Sequence, residues 1–456
     1  MQSCDTLSLC AKYSRFGQNM FAKNSDRPTA ETQLLCAYPA KKYETGATVK
    51  LTDLEIPQVE STYATVGSRP YWTWGFEMGY NEKGLIIGNE AQGSKNAAET
   101  ETGILGMDLL RLGLERAATA REAISVITEL LEKYGQNANA SQLFDRRYEN
   151  SYMLVDKNEI WLLETAGREW VARQIKDMLG ISNCYSTEKE FDIASPTLES
   201  RAREMRWLSP DEKFNFAKAY TLPADRQTFA LPRMRRLNKL LAKSDSHDYS
   251  TIRSILRDHF DGEINESRFG VCMGNFNSIC MHSRVWSDSE TTAGIISRID
   301  NELGVISRYC VGQPCLSVFM PIYDTGYIPE KISSGGKYFD EASLWWKIKR
   351  VGLLVCVDEE RFAKRLHAHT RVLEEKLWSE AEEAEGLARK YISEGNKDEA
   401  YKLLNSLMDS SCARIEDIFD NLYTEFSKEI SELGGIYGIH KHDIEKYCDY
   451  AEIPLL

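Results

Sequence analysis

The chain has 456 residues, of which 42% are hydrophobic and 27% are charged, and its formal net charge is −13. This length exceeds one compact core of ordinary size, so one large domain with an appendage, or two to three domains, is expected. The acidic balance argues against a nucleic-acid partner, and no stretch approaches the ~20 apolar residues of a membrane span. We therefore expect a globular protein whose partners are neither nucleic acid nor membrane.

The 11 cysteines are scattered along the chain, odd in number, and never form a Cys-x-x-Cys pair. They predict neither a disulfide framework nor a zinc site, and no metal or cofactor is expected. The stretch from Met1 to Cys4 is too short for a secretory signal. Reduced thiols without such a signal favour the cytoplasm.

Up to about residue 335, short β-rich runs alternate with turns. Leu7–Cys10 and Met20–Lys23 predict two strands around a turn at Gly17, an arrangement that brings Asp26 back towards Cys4. Further strands are predicted at Phe76–Tyr80, Leu85–Asn89, Tyr152–Val155, Ile160–Leu163 and Trp170–Arg173. A later group is predicted at Gly270–Met273, Ser278–His282, Thr292–Ile299, Val305–Cys310 and Leu316–Tyr323. The pattern is typical of sheets built from hairpins.

Two helices are predicted between these groups of strands, at Leu105–Ala118 and Ala120–Tyr134. The second begins with the capping box Thr119–Glu122 and ends at Gly135. Strands, then paired helices, then more strands predict helices layered on two packed antiparallel sheets.

A helical tail is predicted from about Asp340, where the composition shifts to Glu, Lys, Ala and Leu. Glu359–Ser393, interrupted or kinked at Gly386, is followed by predicted helices at Lys397–Met408 and Ile415–Leu433. We therefore divide the chain into a domain at residues 1–339 and an extension at residues 340–456. Its apolar residues do not hold strict heptads, so the tail is expected to pack on the domain or on a second copy of the chain. A homo-oligomer is left open.

Cys4 is the candidate nucleophile, because removal of residues 1–3 would give it a free α-amine beside its thiol. A thiol needs a base or a cation to become a thiolate at neutral pH, and an α-amine is such a base. Lys23 would stabilise the thiolate, and Asp26 would accept a hydrogen bond from the α-ammonium. The bulky Gln2 prevents simple removal of Met1 from reaching Cys4, so cleavage after Ser3 is required. From the residues alone, a buried structural cysteine and a solvated turn remain open.

Nine blocks in the same order resemble the secernin and dipeptidase A family of cysteine peptidases. They are Ser3–Thr6, Lys23–Arg27, Ser68–Gly75, Glu77–Gly79, Asn81–Glu82, Gly88–Ala91, Leu105–Leu109, Arg111–Ala117 and Leu163–Gly167. The resemblance runs to about Tyr323 and thins in the tail. It implies an α+β fold, the four-layer αββα sandwich of N-terminal-nucleophile hydrolases, with residues 1–3 as a self-cleaved propeptide and dipeptides as substrates.

The chain is more distantly similar to bile salt hydrolases and penicillin V acylases, and this similarity implies further roles. It places Cys4 at the nucleophile and Asp26 at the aspartate that binds the terminal amine. Asn89 falls on an oxyanion-hole asparagine. The expected substrate-binding residues are Lys23, which falls on an arginine, Asn183, and Arg284, whose register is not fixed.

Two further residues are considered as site residues: Glu164 in a matched block and His282 later in the chain. His282 is expected to be a packed or hydrogen-bonded histidine, since the terminal amine already serves as the base. Glu164 is expected to bind either a substrate amine or a structural hydrogen-bond donor.

The predicted function is that of a cysteine dipeptidase, which hydrolyses the amide bond of a small peptide through a thioester on Cys4. Three alternatives stay open: an acylase of the same fold acting on non-peptide N-acyl amides, a non-enzymatic binding or regulatory protein of the secernin type, and a protein whose functional part is the tail.

Overall fold

The computed structural model describes residues 4–96, 103–143, 145–222, 230–263, 278–283 and 289–456. Contacts within the chain divide these residues into two compact units. The amino-terminal unit holds residues 4–23 and Tyr38–Asp248, and the carboxyl-terminal unit holds Asn24–Ala37 and Tyr249–Leu456.

The strands of the described residues are β1 (Cys4–Leu9), β2 (Met20–Pro28), β3 (Gln33–Tyr38), β4 (Lys41–Lys42), β5 (Thr48–Lys50), β6 (Glu55–Pro57), β7 (Ser61–Thr62), β8 (Thr65–Pro70), β9 (Met78–Asn81), β10 (Ile86–Gln92), β11 (Glu149–Val155), β12 (Ile160–Ala166), β13 (Glu169–Ile175), β14 (Met178–Ile181), β15 (Ile193–Ala194), β16 (Ser289–Asp300), β17 (Gly304–Val311) and β18 (Phe319–Tyr323). The α-helices are α1 (Gly106–Arg116), α2 (Ala120–Tyr134), α3 (Leu198–Glu204), α4 (Phe216–Tyr220), α5 (Ala230–Leu241), α6 (Tyr249–Leu256), α7 (Glu330–Ser333), α8 (Leu344–Val357), α9 (Glu359–Ser393), α10 (Lys397–Glu432) and α11 (Lys441–Ala451).

The amino-terminal unit contains antiparallel sheet on both sides of a buried interior. Its strands follow the order β15-β13-β12-β11-β10-β9-β8 in one sheet, and β14 pairs with β1 in the other. Thr6 lies opposite Ile181 in the β1–β14 pair, and Asn89 lies opposite Tyr152 in the β10–β11 pair. The predicted hairpin pattern and the predicted meander of β11, β12 and β13 are confirmed.

Helices α1 and α2 bury their apolar faces against the β10–β13 sheet. Leu109, Ile124 and Ile127 share one buried cluster with Ile87 and Leu163 of the strands. The predicted cap is also confirmed, since the Thr119 side chain accepts a hydrogen bond from the Glu122 backbone nitrogen. Burial of these side chains, at roughly 1.5–3 kcal/mol each, fixes the helices on that sheet face.

Helix α5 packs against β14 in the same unit. The Asn238 side chain accepts from the Gly180 nitrogen at 3.0 Å and donates to the Gly180 carbonyl at 2.7 Å. A Cβ added to Gly180 would lie 2.8 Å from the nearest Leu237 methyl carbon. Glycine at this position therefore lets the helix approach the strand closely.

The carboxyl-terminal unit combines the antiparallel strands β16-β17-β18 with helices α6 to α11. Glu385 of α9 is buried and accepts from Arg298 at 2.9 Å and from Arg308 at 3.0 Å. Phe362 near the start of α9 packs on Phe426 near the end of α10, with ring centroids 4.6 Å apart. The two long helices therefore run antiparallel, with α9 anchored to the strands by buried ion pairs.

Several predicted elements differ from the structure. Helix α9 runs through Gly386 without a break, and Lys397–Glu432 forms one helix where two were predicted. Ser278–His282 was predicted as a strand and has no regular secondary structure. Tertiary packing explains the continuous helices, because α10 buries Met408, Cys412 and Ile415 across the predicted gap. The predicted strand Gly270–Met273 lies outside the described residues.

The fold is thus a mixed one of α-helices and antiparallel sheets. No helix among the described residues is both long and apolar enough to cross a membrane. The tail helices share a unit with β16, β17 and β18, whereas the boundary at residue 339 stays a prediction.

Candidate active site

Cys4 begins β1 and is buried, with a relative exposure of 3%. Its backbone nitrogen donates a hydrogen bond to Asn183 Oδ1 at 2.8 Å. Asn183 follows β14 by two residues, so the pairing of β14 with β1 brings this amide to the start of β1. The structure therefore places two predicted site residues, Cys4 and Asn183, in direct contact.

The Asn183 side chain is held in one orientation by its other contacts. Its nitrogen donates to the Ala91 carbonyl at 2.9 Å, and its oxygen accepts a second bond from Arg233 Nη2 at 2.7 Å. The amide nitrogen faces an acceptor and the amide oxygen faces two donors, so a reversed amide would lose all of these bonds. The oxygen facing Cys4 is thus a fixed acceptor.

Arg233 is a functional candidate that sequence reasoning missed. It lies on α5, is fully buried, and donates to Ser182 Oγ at 2.8 Å as well as to Asn183. Its Nε lies 3.4 Å from Asp5 Oδ2. One signal could have found it: on α5 the buried positions include Arg233, Leu237 and Leu241, so a cation occupies the apolar stripe of the helix,. The predicted Arg284 lies outside the described residues.

Lys23, the fourth residue of β2, supplies a second buried cation. Its Nζ donates to the Asn89 carbonyl at 2.6 Å and lies 3.5 Å from Glu90 Oε1. The Cys4 side chain also acts on Lys23, because its charge and a hydrogen bond with it are among the causes that raise the Lys23 pKa. Burial alone would lower the pKa of Lys23, but the negative charges of Cys4, Glu90 and Glu77 outweigh it and hold the pKa above its ordinary value. Lys23 is therefore a permanent cation beside the Cys4 thiol.

Two buried carboxyl groups complete the charge cluster. Burial raises the pKa of Glu90 to about 8, although Lys23 opposes this shift. Burial likewise raises the pKa of Asp5 to about 6, opposed by Arg233. The Thr6 hydroxyl donates to Glu90 Oε1.

Asn89 contributes its backbone to this cluster, while its side chain has other partners. With its nitrogen turned to satisfy both amide atoms, the side chain donates to the Glu77 carbonyl and Oε2 at 3.0 Å each and faces the Asn150 amide at 3.1 Å. Glu90 is the next residue on β10, and successive side chains on a strand point to opposite faces, so the Asn89 side chain points away from the face that Glu90 occupies. The role of Asn89 as an oxyanion donor stays a prediction.

Gly88 gives Lys23 and its neighbour Phe21 the room they occupy. A Cβ at position 88 would lie 2.5 Å from Phe21 Cζ and 3.0 Å from Lys23 Cδ. The glycine is therefore required by the close approach of β10 to β2 within the amino-terminal unit.

Asp26 belongs to the carboxyl-terminal unit, where it is buried. Its Oδ1 accepts from Thr291 Oγ1 at 2.6 Å. Its role at the amine of Cys4 stays a prediction.

Glu164 has a structural environment. Its two carboxylate oxygens accept from the backbone nitrogens of Ser186 at 2.8 Å and Thr187 at 2.7 Å. Of the two roles expected for Glu164, these contacts agree with the binding of a structural hydrogen-bond donor.

The arrangement has the parts of nucleophilic amide chemistry. A thiol interacts electrostatically with a permanent cation, and the nitrogen of the same residue is held by a fixed acceptor. A cation beside a thiol favours the thiolate, which is the reactive form.

A curated relative is similar to part of the chain. The chain is 28% identical over 195 residues to the "Probable dipeptidase B" of Lactococcus lactis subsp. lactis (strain IL1403), which covers 38% of this chain and 37% of the relative. The chain thus spans about a third of the length of this curated relative.

Two solved structures are similar at lower levels. A conjugated bile acid hydrolase from Clostridium perfringens has a TM-score of 0.38 at 15% identity, covering 68% of this chain and 89% of that one. An ortholog of N-acylethanolamine-hydrolyzing acid amidase from Caenorhabditis elegans has a TM-score of 0.24 at 12% identity, covering 47% and 81%. At these TM-scores neither likeness defines the fold.

The family is shown by the sequence itself. The profile of peptidase family C69 matches residues 3–252, which is more than half of the chain and includes Cys4, Lys23, Asn183 and Arg233. The chain therefore belongs to peptidase family C69.

Proposed function

We propose that the protein is a cysteine dipeptidase whose nucleophile is the thiolate of Cys4. The observation that carries this proposal is the hydrogen bond from the Cys4 nitrogen to Asn183 at 2.8 Å, and it is supported by the electrostatic interaction of the Cys4 side chain with the buried Lys23. Membership of a peptidase family supports amide hydrolysis. The printed name of the Lactococcus relative supports dipeptides as the substrate class.

The first proposed step is self-cleavage after Ser3. The Cys4 thiol attacks the Ser3 carbonyl, the bond from that carbonyl to the Cys4 nitrogen breaks, and the nitrogen takes a proton. Water then hydrolyses the resulting thioester, releasing Met1-Gln2-Ser3 as a carboxylic acid and restoring the thiol. The product is a Cys4 with a free α-amine.

Dipeptide hydrolysis repeats the same chemistry on a bound substrate. The thiolate attacks the peptide carbonyl, the α-amine carries the proton to the leaving amine, and the acyl group stays on Cys4 as a thioester. A second proton transfer through the amine lets water release the amino acid. Asn183 orients the amine throughout, and Lys23 stabilises the thiolate when it leaves.

We also propose the four-layer αββα arrangement for the amino-terminal unit. Its support is the sequence of contacts from α5 to β14, from β14 to β1, from the Thr6 hydroxyl of β1 to Glu90 of β10, and from β10 to α1. A cytoplasmic location is proposed because the ten cysteines among the described residues are all free,.

The decisive experiment compares the purified parent chain with Cys4→Ala and with a matched control, Cys10→Ala. Cys10 ends the same sequence run and is a free thiol with partial exposure. Intact mass should show loss of Met1-Gln2-Ser3 in the parent and the control, while Cys4→Ala retains these residues. Only the two cleaved proteins should hydrolyse a panel of dipeptides.

Two results would contradict the proposal. An uncleaved parent that is inactive on every dipeptide would remove the self-cleavage mechanism. A cleaved parent that hydrolyses N-acyl amides and ignores dipeptides would leave the nucleophile in place and overturn the substrate class.

A further inference from the structure

Four potential metal ligands meet in the carboxyl-terminal unit, away in sequence from the residues described above. They are His259, Cys280, His282 and Cys315, and one ligand atom from each lies within 4.8 Å of all the others. His282 Nε2 lies 3.1 Å from His259 Nε2, 3.5 Å from Cys280 Sγ and 3.2 Å from Cys315 Sγ. This cluster has no part in the proposed dipeptidase mechanism.

The four ligands come from three segments whose backbones are held by other contacts. His259 follows α6, Cys280 and His282 lie in residues 278–283, and Cys315 lies between β17 and β18. The Cys280 nitrogen donates to the Asp258 carbonyl at 3.1 Å, which joins the first two segments.

The segment with Cys315 is held from α9. The Cys315 carbonyl accepts from His367 Nε2 at 3.0 Å and from Arg371 Nη2 at 2.8 Å. The side chains of Cys280, His282 and Cys315 are buried, whereas His259 is half-buried. The ligand atoms therefore converge on supported backbone in an interior site.

Hydrogen bonding alone does not account for this convergence. A neutral imidazole nitrogen either carries one proton or offers one lone pair, so it makes one good hydrogen bond. Yet His282 Nε2 has three potential ligand atoms within 3.5 Å. A cation at the centre of the four atoms would satisfy all of them at once.

The distances also suit a tetrahedral ion. With Zn–S bonds of about 2.3 Å and Zn–N bonds of about 2.0–2.1 Å, neighbouring ligand atoms of a tetrahedron lie roughly 3.3–3.8 Å apart. Of the three contacts of His282 Nε2, the one at 3.5 Å falls within this range and those at 3.1 and 3.2 Å fall just below it. Two thiolates with two imidazoles form a common ligand set for zinc, and soft thiolates disfavour magnesium and calcium.

We propose that His259, Cys280, His282 and Cys315 bind one Zn²⁺ in a closed tetrahedral site. Four protein ligands leave no open position for water or substrate, so the ion is structural. It fastens the loop after α6 and residues 278–283 to the turn between β17 and β18. Metal binding of this kind contributes directly to the stability of the fold.

The expectation that the chain has no zinc site was based on the absence of closely spaced cysteine pairs. Here the two cysteines stand far apart in sequence, and only Cys280 and His282 are near neighbours, with one residue between them. His259 precedes His282 by 23 residues, and Cys315 follows His282 by 33 residues. Only the fold brings them together.

The test measures metal in the full chain, purified without chelators, together with three variants. The zinc content by plasma mass spectrometry should be one equivalent per chain in the parent and in the control Cys310→Ala. Cys310 is a buried free cysteine on β17 that is not among the four ligands. Cys280→Ala and Cys315→Ala should fall to background.

A second measurement uses the parent alone, so that a failure of the variants to fold does not affect the result. Modification of the thiols with a mercurial should release one equivalent of zinc, detected with a chromogenic chelator. Protein produced with Co²⁺ should show the visible absorption of tetrahedral cobalt together with thiolate-to-cobalt charge transfer.

The proposal is overturned if the parent contains zinc only at background and takes up neither Zn²⁺ nor Co²⁺ when these are added in equimolar amounts. It is equally overturned if peptide mapping finds a disulfide between Cys280 and Cys315, or if the bound zinc stays at one equivalent in both ligand variants. Each of these readouts is independent of dipeptidase activity.

Discussion

The backbone nitrogen of Cys4 donates a hydrogen bond to the side-chain oxygen of Asn183 at 2.8 Å. The acceptor that would hold the α-amine of the processed enzyme is thus already in place for the peptide nitrogen. The proposed cleavage would change the nitrogen from an amide to an amine without requiring a new partner. This arrangement is preorganised for both forms of the chain.

Removal of the Asn183 amide should impair catalysis more than folding. Hydrogen bonds to charged groups are worth about 1.5–3 kcal/mol, so Asn183→Ala should lower kcat/KM by about 10- to 100-fold. Steady-state kinetics and the intact mass should be measured together. Asn215→Ala is the matched control, because it removes a side-chain hydrogen bond of similar kind, the cap that Asn215 forms on α4, and should leave kcat/KM of the folded fraction unchanged. Equal losses in both variants would argue against a specific role for Asn183.

Arg233 should act as a positioning residue through Asn183. We expect Arg233→Lys to lower kcat by about tenfold with little change in KM, because a lysine has a charge but lacks the planar fork that bonds two acceptors. Arg235→Met, an exposed position on the same helix, serves as the control. A change confined to the unfolding midpoint, with kcat preserved, would assign Arg233 to stability alone.

Lys23 should be required for the reactivity of the Cys4 thiol. Loss of a preorganised charge at a reacting atom commonly costs about 10²–10³ in rate, so Lys23→Met should lower both self-cleavage and kcat by this amount. The rate of thiol alkylation at neutral pH reads the thiolate directly and should fall in parallel. The exposed Lys12→Met should react like the parent. Unchanged alkylation of Cys4 in Lys23→Met would contradict the assignment.

Glu90 should make the stability of the protein depend on pH. Burial raises its pKa to about 8 from the ordinary 4.5, so the folded state holds a proton that the unfolded state has released within this window,. The contribution of Glu90 to the free energy of unfolding is therefore full below pH 4.5 and is lost as the pH rises towards 8.

The measurement is urea unfolding at several pH values across that window, in the parent and in Glu90→Gln. The glutamine variant lacks the proton release, so its stability relative to the parent should increase as the pH rises. Glu129→Gln, on the exposed face of α2, should follow the parent curve. Parallel curves for the parent and Glu90→Gln would show that Glu90 does not titrate in this range.

Gly88 should tolerate no side chain. Gly88→Ala places a Cβ 2.5 Å from Phe21 Cζ, and overpacking of this kind costs about 1–3 kcal/mol,. Gly386→Ala, in the middle of α9 with no atom within 4 Å of the new Cβ, should instead be neutral or stabilising by about 0.5–1 kcal/mol,. Denaturant unfolding of both variants checks the pair. Equal destabilisation would refute the packing argument.

Local patterns predicted much of the fold. The capped helix at Ala120–Tyr134 and the meander of β11, β12 and β13 follow from side-chain periodicity and turn residues, which act over a few positions,. Helix α10 was missed as one helix because the packing of its buried face overrides weak local signals,.

The same contrast between local patterns and long-range contacts applies to the residues of the candidate site. Cys4, Lys23 and Asn183 could be predicted from short motifs, and the structure brings them together. Arg233 could not, because its role depends on the contact of α5 with β14, which joins residues 50 positions apart. Contacts of this range are set by the assembled fold and leave no local pattern.

Gly88 also offers a way to read related sequences. Because position 88 has no Cβ, the Lys23 side chain has room beside the thiol. The charge at the thiol therefore depends on a residue that has no reactive group of its own. A homologue that carries a larger residue at this position would have to displace Phe21 or Lys23. The residue at position 88 is therefore expected to vary together with the lysine in related sequences.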